Sequence, residues 1–141
     1  MKDSAQAIEF YKKAFGAKEL LRHPGPGGKG IMHAELQIGD SRFFINDEFP
    51  DMGGCRSPLS LGGVAGSLHL YVEDVDTLFS RAVSAGAKVQ MPVMDMFWGD
   101  RFGKVIDPFG HEWSMSTHIE DLTQEEVTKR AEIFFSHTAR K

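Results

Sequence analysis

Helical spacing of apolar residues, by three and four, and strand-like alternation of apolar and polar residues follow each other along this chain. Between residues 4 and 15, Ile8, Tyr11 and Phe15 recur at spacings of three and four, which predicts an amphipathic helix with Ser4 as its N-cap. The residues that follow form shorter runs, of which the second alternates strictly between apolar and polar side chains. These runs predict β-strands over residues 17–22, 32–38 and 42–45.

A second series of the same elements begins near residue 67. Leu68, Leu70 and Val72 alternate with polar residues and predict a strand, and Asp74 is a candidate N-cap for a helix that Gly86 ends. Three further strands are predicted near residues 87–93, 101–107 and 111–118. This second series is therefore complete, from an opening strand to a closing strand.

The two series are related by an offset of 70 residues. The triplet Gly16-Ala17-Lys18 recurs as Gly86-Ala87-Lys88, and both copies follow a predicted helix. The opening strand of the second series, however, has its counterpart almost wholly upstream of Met1. We therefore expect a duplicated α+β unit whose first strand is cut off or supplied from elsewhere.

The expected organisation is one compact domain built from two βαβββ units. A stretch rich in Gly, Pro and Ser joins the units. Thr123-x-x-Glu126 is a capping box that opens a helix outside the repeat. The predicted boundaries are 1–46 for the truncated first unit, 47–66 for the linker, 67–118 for the second unit and 119–141 for the C-terminal helix.

Composition argues against several classes of function. The net charge of −4 and the pI near 5.8 provide no basic footprint for a nucleic-acid partner. The single Cys55 has no intrachain disulfide partner, which fits a reducing compartment. No run approaches the roughly 20 apolar residues that span a bilayer, and charges interrupt residues 1–15 where a secretory signal would be apolar. We expect a cytoplasmic protein with no nucleic-acid partner and no membrane partner.

Several motifs then point to a family. Asp107-Pro108-Phe109-Gly110 resembles the Asp-Pro-x-Gly hairpin of the glyoxalase/bleomycin-resistance/dioxygenase superfamily, also called the vicinal oxygen chelate proteins. Residues 7–11 and 15–17 resemble the helix of its first module, and residues 97–103 and 107–121 resemble its PhnB-like branch. The resemblance covers nearly the whole chain. It implies paired βαβββ modules whose sheets enclose a cup-shaped cavity.

The resemblance also implies where a metal would lie. Catalytic members of the superfamily hold a divalent metal in the cup, with ligands from the first and last strands of both modules. The matching positions of this chain are Ser67, Ser114 and Phe44, and the fourth lies before Met1. Two serines and a phenylalanine do not make a normal zinc, nickel or iron site. We therefore expect no cofactor at the family position.

Two other side chains share the expected face of the cup. Strand alternation places His69 with Ser67, and Glu112 with Ser114. His69 and Glu112 are candidates for orienting a ligand or for acid–base chemistry, or they are half-buried strand residues bonded to their neighbours. A divalent metal held by these two residues and His33 stays open as an alternative.

The segment 94–101 is a further candidate for ligand contact. Phe97 and Trp98 offer flat apolar area, and Arg101 is suited to a ligand carboxylate or an aromatic ring. The alternative is that Trp98 covers the rim of the cavity and Arg101 pairs with a neighbouring aspartate. The complete set of ligand-binding candidates is Phe44, Ser67, His69, Trp98, Arg101, Glu112 and Ser114.

Three functions are compatible with these residues. The favoured one is a small-molecule binding protein, in the manner of drug-sequestering resistance proteins, which predicts affinity without turnover. The second is a metal-dependent lyase, isomerase or ring-cleaving dioxygenase with a noncanonical site, which predicts a bound metal or a titrating His69. The third is an interaction module whose cavity is filled by its own side chains. With each of them, open sheet edges favour a homodimer.

Overall fold

Two β-sheets and their covering helices make up the protein. The computed structural model describes residues 1–139, and residues 140 and 141 of the predicted C-terminal segment lie outside the described residues. The helices are α1 (Ser4–Phe15), α2 (Pro58–Leu61), α3 (Val75–Ala85) and α4 (Gln124–Ala139). The strands are β1 (Lys18–Pro24), β2 (Ile31–Ile38), β3 (Ser41–Ile45), β4 (Ser67–Tyr71), β5 (Lys88–Asp95), β6 (Asp100–Ile106) and β7 (Glu112–His118).

The strand order repeats between the sheets, with one difference. The first sheet has the order β1-β2-β3, and the second has the order β4-β7-β6-β5. All pairs are antiparallel except β4 with β7, which is parallel. The predicted α+β fold with a C-terminal helix is confirmed. Among the described residues, the second sheet has a parallel strand, β4, that has no counterpart in the first.

The start of α1 differs by one residue from the prediction. Asp3 is the N-cap, and its side chain accepts a hydrogen bond from the Gln6 N–H at 3.1 Å. Ser4 is instead buried in the first turn, where its N–H donates to Asp47 Oδ1 at 2.7 Å. Asp47 Oδ2 also accepts from the Ile31 N–H at 2.7 Å. One carboxylate therefore ties the start of the helix to β2.

Aromatic side chains join the two modules. Trp113 of β7 lies 4.7 Å from Phe15 and 5.3 Å from Tyr11, measured between ring centroids. It is 2% exposed. Trp113 belongs to the second module and packs under α1 of the first. The contact fixes the two modules against each other through tilted rings, a favourable aromatic arrangement.

Asp107 of the Asp-Pro-x-Gly hairpin lies at the centre of this junction. Its Oδ2 accepts from the Tyr11 hydroxyl at 2.6 Å and from Trp113 Nε1 at 2.9 Å. Its Oδ1 accepts from the N–H groups of Phe109 at 2.9 Å and His111 at 3.0 Å. Burial, together with the neighbouring carboxylate, raises the pKa of Tyr11 far above its usual range. The motif aspartate therefore binds two backbone donors of its own hairpin and two side chains.

The linker between the modules is anchored near its start. Glu48 Oε2 accepts from the Ser57 N–H at 2.6 Å, and Oε1 accepts from the Ser60 hydroxyl at 2.6 Å. These two bonds, the backbone one foremost, lower the pKa of Glu48 to about 2. The same carboxylate thereby holds the first turn of α2, so this part of the linker has a defined path.

The C-terminal helix contacts the turn between β5 and β6 through aromatic side chains. Phe97 lies 5.3 Å from Phe134 and 5.6 Å from Phe135 between ring centroids. At the other end, the Glu126 N–H donates to Thr123 Oγ1 at 3.2 Å, as the capping box predicts. Within residues 1–139, every helix is too short or too polar to cross a membrane.

Candidate functional site

Strand alternation creates two chemically different faces on the second sheet. Met115 is buried toward α3, and Thr117 Oγ1 accepts from the Val75 N–H at the start of that helix at 2.8 Å. Alternate residues of the paired strands therefore project from the other side, which we call the open face. Its residues are Ser67, His69 and Tyr71 of β4, Asp100, Phe102 and Lys104 of β6, and Glu112, Ser114, Ser116 and His118 of β7.

His69 binds two serines on the open face. Its Nδ1 lies 2.6 Å from Ser114 Oγ, and its Nε2 lies 3.0 Å from Ser116 Oγ. The structure thus brings together His69 and Ser114, two residues that were expected on the same face of the cup, through the register of β4 against β7. A neutral imidazole suits this pair, because one ring nitrogen donates and the other accepts. Desolvation lowers the pKa of His69 from its usual value, and Asp100 opposes that shift.

Four rings form a continuous surface that we call the aromatic wall: His69, Tyr71, Trp98 and Phe102. His69 meets Tyr71 edge-on at 4.8 Å and lies nearly parallel to Phe102 at 6.0 Å. Trp98 meets Phe102 edge-on at 5.3 Å. Tyr71 is 68% exposed. Such a surface offers both ring faces and ring edges to a planar molecule.

A buried carboxylate holds the aromatic wall in place. Asp100 is 4% exposed, and its Oδ2 accepts from the Tyr71 hydroxyl at 2.8 Å and from Trp98 Nε1 at 3.0 Å. The hydrogen bond to Asp100 is the largest cause of the raised pKa of Tyr71, so the phenol stays a donor. The exposed Tyr71 ring and the half-buried Trp98 ring are therefore anchored through their polar atoms.

His118 connects this carboxylate to the residues that lead into α4. Its Nδ1 lies 3.3 Å from Asp100 Oδ1, and its Nε2 lies 2.7 Å from Asp121 Oδ1. Hydrogen bonding to Asp121, and then to Asp100, raises the pKa of His118 above its usual value. The open face thus carries two histidines whose pKa values are shifted in opposite directions. Burial lowers that of His69, and hydrogen bonds to carboxylates raise that of His118.

Arg101 lies on the opposite side of the sheet. Its guanidinium binds Asp76 of α3 through Nε at 2.8 Å and Nη2 at 3.0 Å, and Asp95 through Nη1 at 2.9 Å. The pairing with a neighbouring aspartate is the alternative that the sequence left open. Because residues 100 and 101 point to opposite faces, Arg101 and the Trp98 indole do not share one surface.

Glu112 and Ser67 lie at the far end of the open face. Glu112 Oε1 accepts from Lys104 Nζ at 3.1 Å, and the Glu112 side chain is 21% exposed. Ser67 is the strand partner of Glu112 in the parallel pair of β4 and β7. This end therefore presents an ion pair with a hydroxyl beside it, next along the strands from His69 and Phe102 of the aromatic wall.

The residues at the family's metal positions do not fit a divalent cation. Ser67 and Ser114 offer neutral hydroxyls, and Phe44, which is 64% exposed, has no donor atom. His33, the third member of the alternative set, lies in the first sheet, where its Nε2 is 3.2 Å from Glu35 Oε1. Across residues 1–139, no three His, Cys, Asp or Glu side chains converge in a way that would hold a metal ion.

Sequence reasoning missed three members of the site. Tyr71 alternates with His69 on a predicted strand, so period-two spacing was a usable signal for it. Phe102 and Asp100 reach the site through the register of β6 against β7, which pairs Phe102 with Ser116. No feature of the local sequence marks that register.

We predict that His69 and His118 titrate on opposite sides of pH 6.5, the usual value for histidine. His69 has a lowered pKa in the folded state, so its protonation favours unfolding and costs stability as the pH falls through 6.5. His118 has a raised pKa, so its contribution is complete below 6.5 and is lost as the pH rises through the folded value. Imidazole NMR titration measures both values. In Asp121→Asn the His118 pKa should fall while that of His69 stays; equal midpoints for both histidines would contradict the geometry.

Comparison with known proteins shows which family this chain is similar to. The family model described as Glyoxalase/Bleomycin resistance protein/Dioxygenase superfamily matches residues 1–115. Among curated proteins, the uncharacterized protein Mb0911c of Mycobacterium bovis is 48% identical over 127 residues, which cover 89% of this chain and 83% of the relative.

Solved structures agree with that assignment. TioX from Micromonospora sp. ML1 has a TM-score of 0.65 and 30% identity, with coverage of 84% of this chain and 93% of TioX. A PhnB protein from Bacillus cereus, described as a putative 3-demethylubiquinone-9 3-methyltransferase, shares the fold with a TM-score of 0.61 at 19% identity, covering 81% and 90%. With its repeated sheets, its Asp-Pro-x-Gly hairpin and this match over most of its length, the chain belongs to the glyoxalase/bleomycin-resistance/dioxygenase superfamily.

Proposed function

We propose that this protein binds a small organic molecule on the open face of its second sheet. The observation that carries the proposal is the aromatic wall, and above all Tyr71. Its ring is 68% exposed, yet its hydroxyl is bonded to the buried Asp100 at 2.8 Å. A ring that is already held in one orientation loses little conformational entropy when a ligand packs on it.

The polar neighbours define what the ligand should look like. The buried Ser114 and Ser116 hydroxyls hold the exposed His69 imidazole, so the imidazole lies beside the other rings as a polar group. Lys104 and Glu112 add one charge of each sign at the far end of the face. The ligand that suits this surface has a planar apolar part and a polar group that extends along the sheet.

We propose further that binding does not use a metal at the family positions. Ser67, Ser114 and Phe44 supply no anionic or imidazole donor there, which is the chemistry that divalent metals select. Superfamily membership is compatible with a lyase, isomerase or dioxygenase as well as with a binding protein, because function resides in the site rather than the fold. The lack of anionic and imidazole metal ligands at Ser67, Ser114 and Phe44 supports the binding protein over the metal-dependent enzyme.

We expect fused bicyclic aromatic compounds to bind, and substitutions in the wall to weaken them. In a thermal-shift screen of 2-naphthol with its carboxylate and amine derivatives, the best compound should lose about tenfold in affinity in Tyr71→Ala and in Phe102→Ala, roughly the value of one aromatic contact. Tyr71→Phe keeps the ring but loses the hydrogen bond to Asp100, so its affinity should fall between that of Tyr71→Ala and that of the natural protein. Val83→Ala, on the exposed side of α3, is the control for surface changes.

Two results would contradict the binding proposal. One is an affinity that stays the same in Tyr71→Ala and Phe102→Ala when both variants are folded by circular dichroism. The other is one tightly held metal per chain, found by elemental mass spectrometry of untagged protein, together with turnover of the bound compound. That second result would favour the metal-dependent enzyme.

Two properties stay predictions from the sequence. The homodimer is tested by light scattering against the monomer mass of 15.7 kDa, and a monomer at all concentrations would contradict it. The cytoplasmic location is tested by fractionating cells that express the protein with its natural N-terminus. Neither property is needed for the binding proposal.

A further inference from the structure

The ion pair at the far end of the open face lies next to the aromatic wall. Lys104 follows Phe102 of the wall by two residues on β6, so both side chains project from the same face, about 7 Å apart along the strand. Glu112 lies opposite Ile106 of β6 and Ser67 of β4. Lys104 Nζ and Glu112 Oε1 are 3.1 Å apart, and the two side chains are 34% and 21% exposed. A molecule that packs on Phe102 therefore has both charges within reach of one short side chain.

These two charges are open to a ligand, whereas the other charges near the wall are already bound. Asp100 is buried and accepts from two rings of the wall, and each ring nitrogen of His118 lies beside a carboxylate. Among residues 1–139, Lys104 and Glu112 form an ion pair only with each other. An ammonium has three donors and a carboxylate about four acceptor sites, so both groups keep unused hydrogen-bonding capacity.

The ion pair favours one kind of ligand charge. A ligand with a single charge draws one member toward itself and leaves the other member, which is half-buried, poorly paired. A ligand with both charges on one carbon atom can lie antiparallel to the pair, with its carboxylate toward Lys104 and its ammonium toward Glu112. That arrangement adds two attractive contacts and keeps the original one. The chemistry that fits this end of the face is therefore a zwitterionic head group.

We propose that the ligand of the aromatic wall is an aromatic α-amino acid, with its ring on Phe102 and Tyr71 and its head group on Lys104 and Glu112. Two bonds separate the ring of such a compound from its α-carbon, which suits the two-residue step from Phe102 to Lys104. The Ser67 hydroxyl, beside Glu112, is a further hydrogen-bond partner for the head group. This ligand class rests on the proposed function, because it requires that the wall bind a planar ring.

Three compounds that share one ring test the head group. L-Tryptophan has both charges, tryptamine lacks the carboxylate, and indole-3-propionate lacks the ammonium. In titration calorimetry with the natural protein at pH 7, L-tryptophan should bind about tenfold more tightly than either analogue, roughly the value of one hydrogen bond to a charged group. L-Alanine has the same head group without the ring and should give no measurable binding.

Two substitutions should change the affinities of the analogues in opposite directions. In Lys104→Met, Glu112 loses its partner, so tryptamine should bind more tightly and indole-3-propionate about tenfold more weakly. Glu112→Gln should produce the reverse. A general loss of structure would weaken both analogues alike, so the crossed pattern is specific to the charges. Lys13→Met, at an exposed lysine of α1, makes the same change in net charge and should leave all the affinities unchanged.

Three results would overturn the proposal. They are equal affinities of the three indole compounds for the natural protein, affinities of the analogues that do not cross between the two variants, and binding of L-tryptophan that is unaffected in Tyr71→Ala. If either charge variant does not fold, the ranking of the three compounds in the natural protein still decides the question.

The outcomes also separate this proposal from the proposed function. If the naphthalene compounds bind at the aromatic wall but L-tryptophan binds no better than its analogues, the zwitterionic ligand is wrong and the proposed function stands. If no aromatic compound binds, both are wrong.

Discussion

Replacing Asp107 by Ala should lower the free energy of unfolding by about 4 kcal/mol, the largest effect that we expect from a single polar substitution in this protein. Asp107 is 3% exposed and accepts four hydrogen bonds, which come from Tyr11, Trp113, Phe109 and His111. Alanine would leave these donors unpaired in a buried site, and each unpaired group is costly. For 141 residues the loss corresponds to a fall in Tm of roughly 13 °C.

Matched variants separate the contributions to this effect. Tyr11→Phe removes one of the four bonds and should cost about 1–2 kcal/mol. Asp107→Asn keeps one acceptor oxygen and should fall between the natural protein and Asp107→Ala. A double-mutant cycle of Tyr11→Phe and Asp107→Ala, measured by urea denaturation, isolates the bond that joins the modules. If Asp107→Ala stays within 1 kcal/mol of the natural protein, the hairpin aspartate does not hold the junction.

The helices and strands that could be predicted from the sequence are those whose apolar residues recur at a regular spacing. α3 and β7 carry apolar residues at spacings that one element alone explains, and the faces of β7 follow from alternation without knowledge of any neighbour. The same reasoning, with the family resemblance, placed His69 and Ser114 on one face of the expected cup, and the structure brings them within 2.6 Å of each other. Each of these inferences uses spacing within the chain.

The parts that escaped prediction depend on contacts between elements. Asp100 reaches Tyr71 across 29 residues of sequence, through the register of β6 against β7 and the turn that holds Trp98. Arg101 was grouped with Trp98 because the two are neighbours in sequence, although strand alternation separates their faces. The N-cap of α1 is Asp3 and not the predicted Ser4. The Ser4 N–H instead donates to Asp47, a partner that is distant in sequence. Local pattern carries no information on such partners.

The second large effect that we expect is on Asp100, the carboxylate behind the aromatic wall. Asp100→Ala should cost about 2–3 kcal/mol in the free energy of unfolding, because Tyr71 and Trp98 lose their buried acceptor. It should also weaken the binding of aromatic ligands, since both rings then have to be ordered again upon binding. Denaturation by urea and titration calorimetry with the best compound of the thermal-shift screen measure the two effects.

Asp100→Asn is the matched control, because it separates anchoring from charge. An asparagine can keep its carbonyl oxygen toward Tyr71 and Trp98, so the wall and its ligand affinity should be largely preserved. The charge beside His118 is lost, and its pKa should fall toward the usual histidine value, though Asp121 still holds it above that value. Equal loss of affinity in both variants would mean that the negative charge, rather than the fixed rings, attracts the ligand. The ligand would then be cationic, and its affinity should fall steeply with added salt.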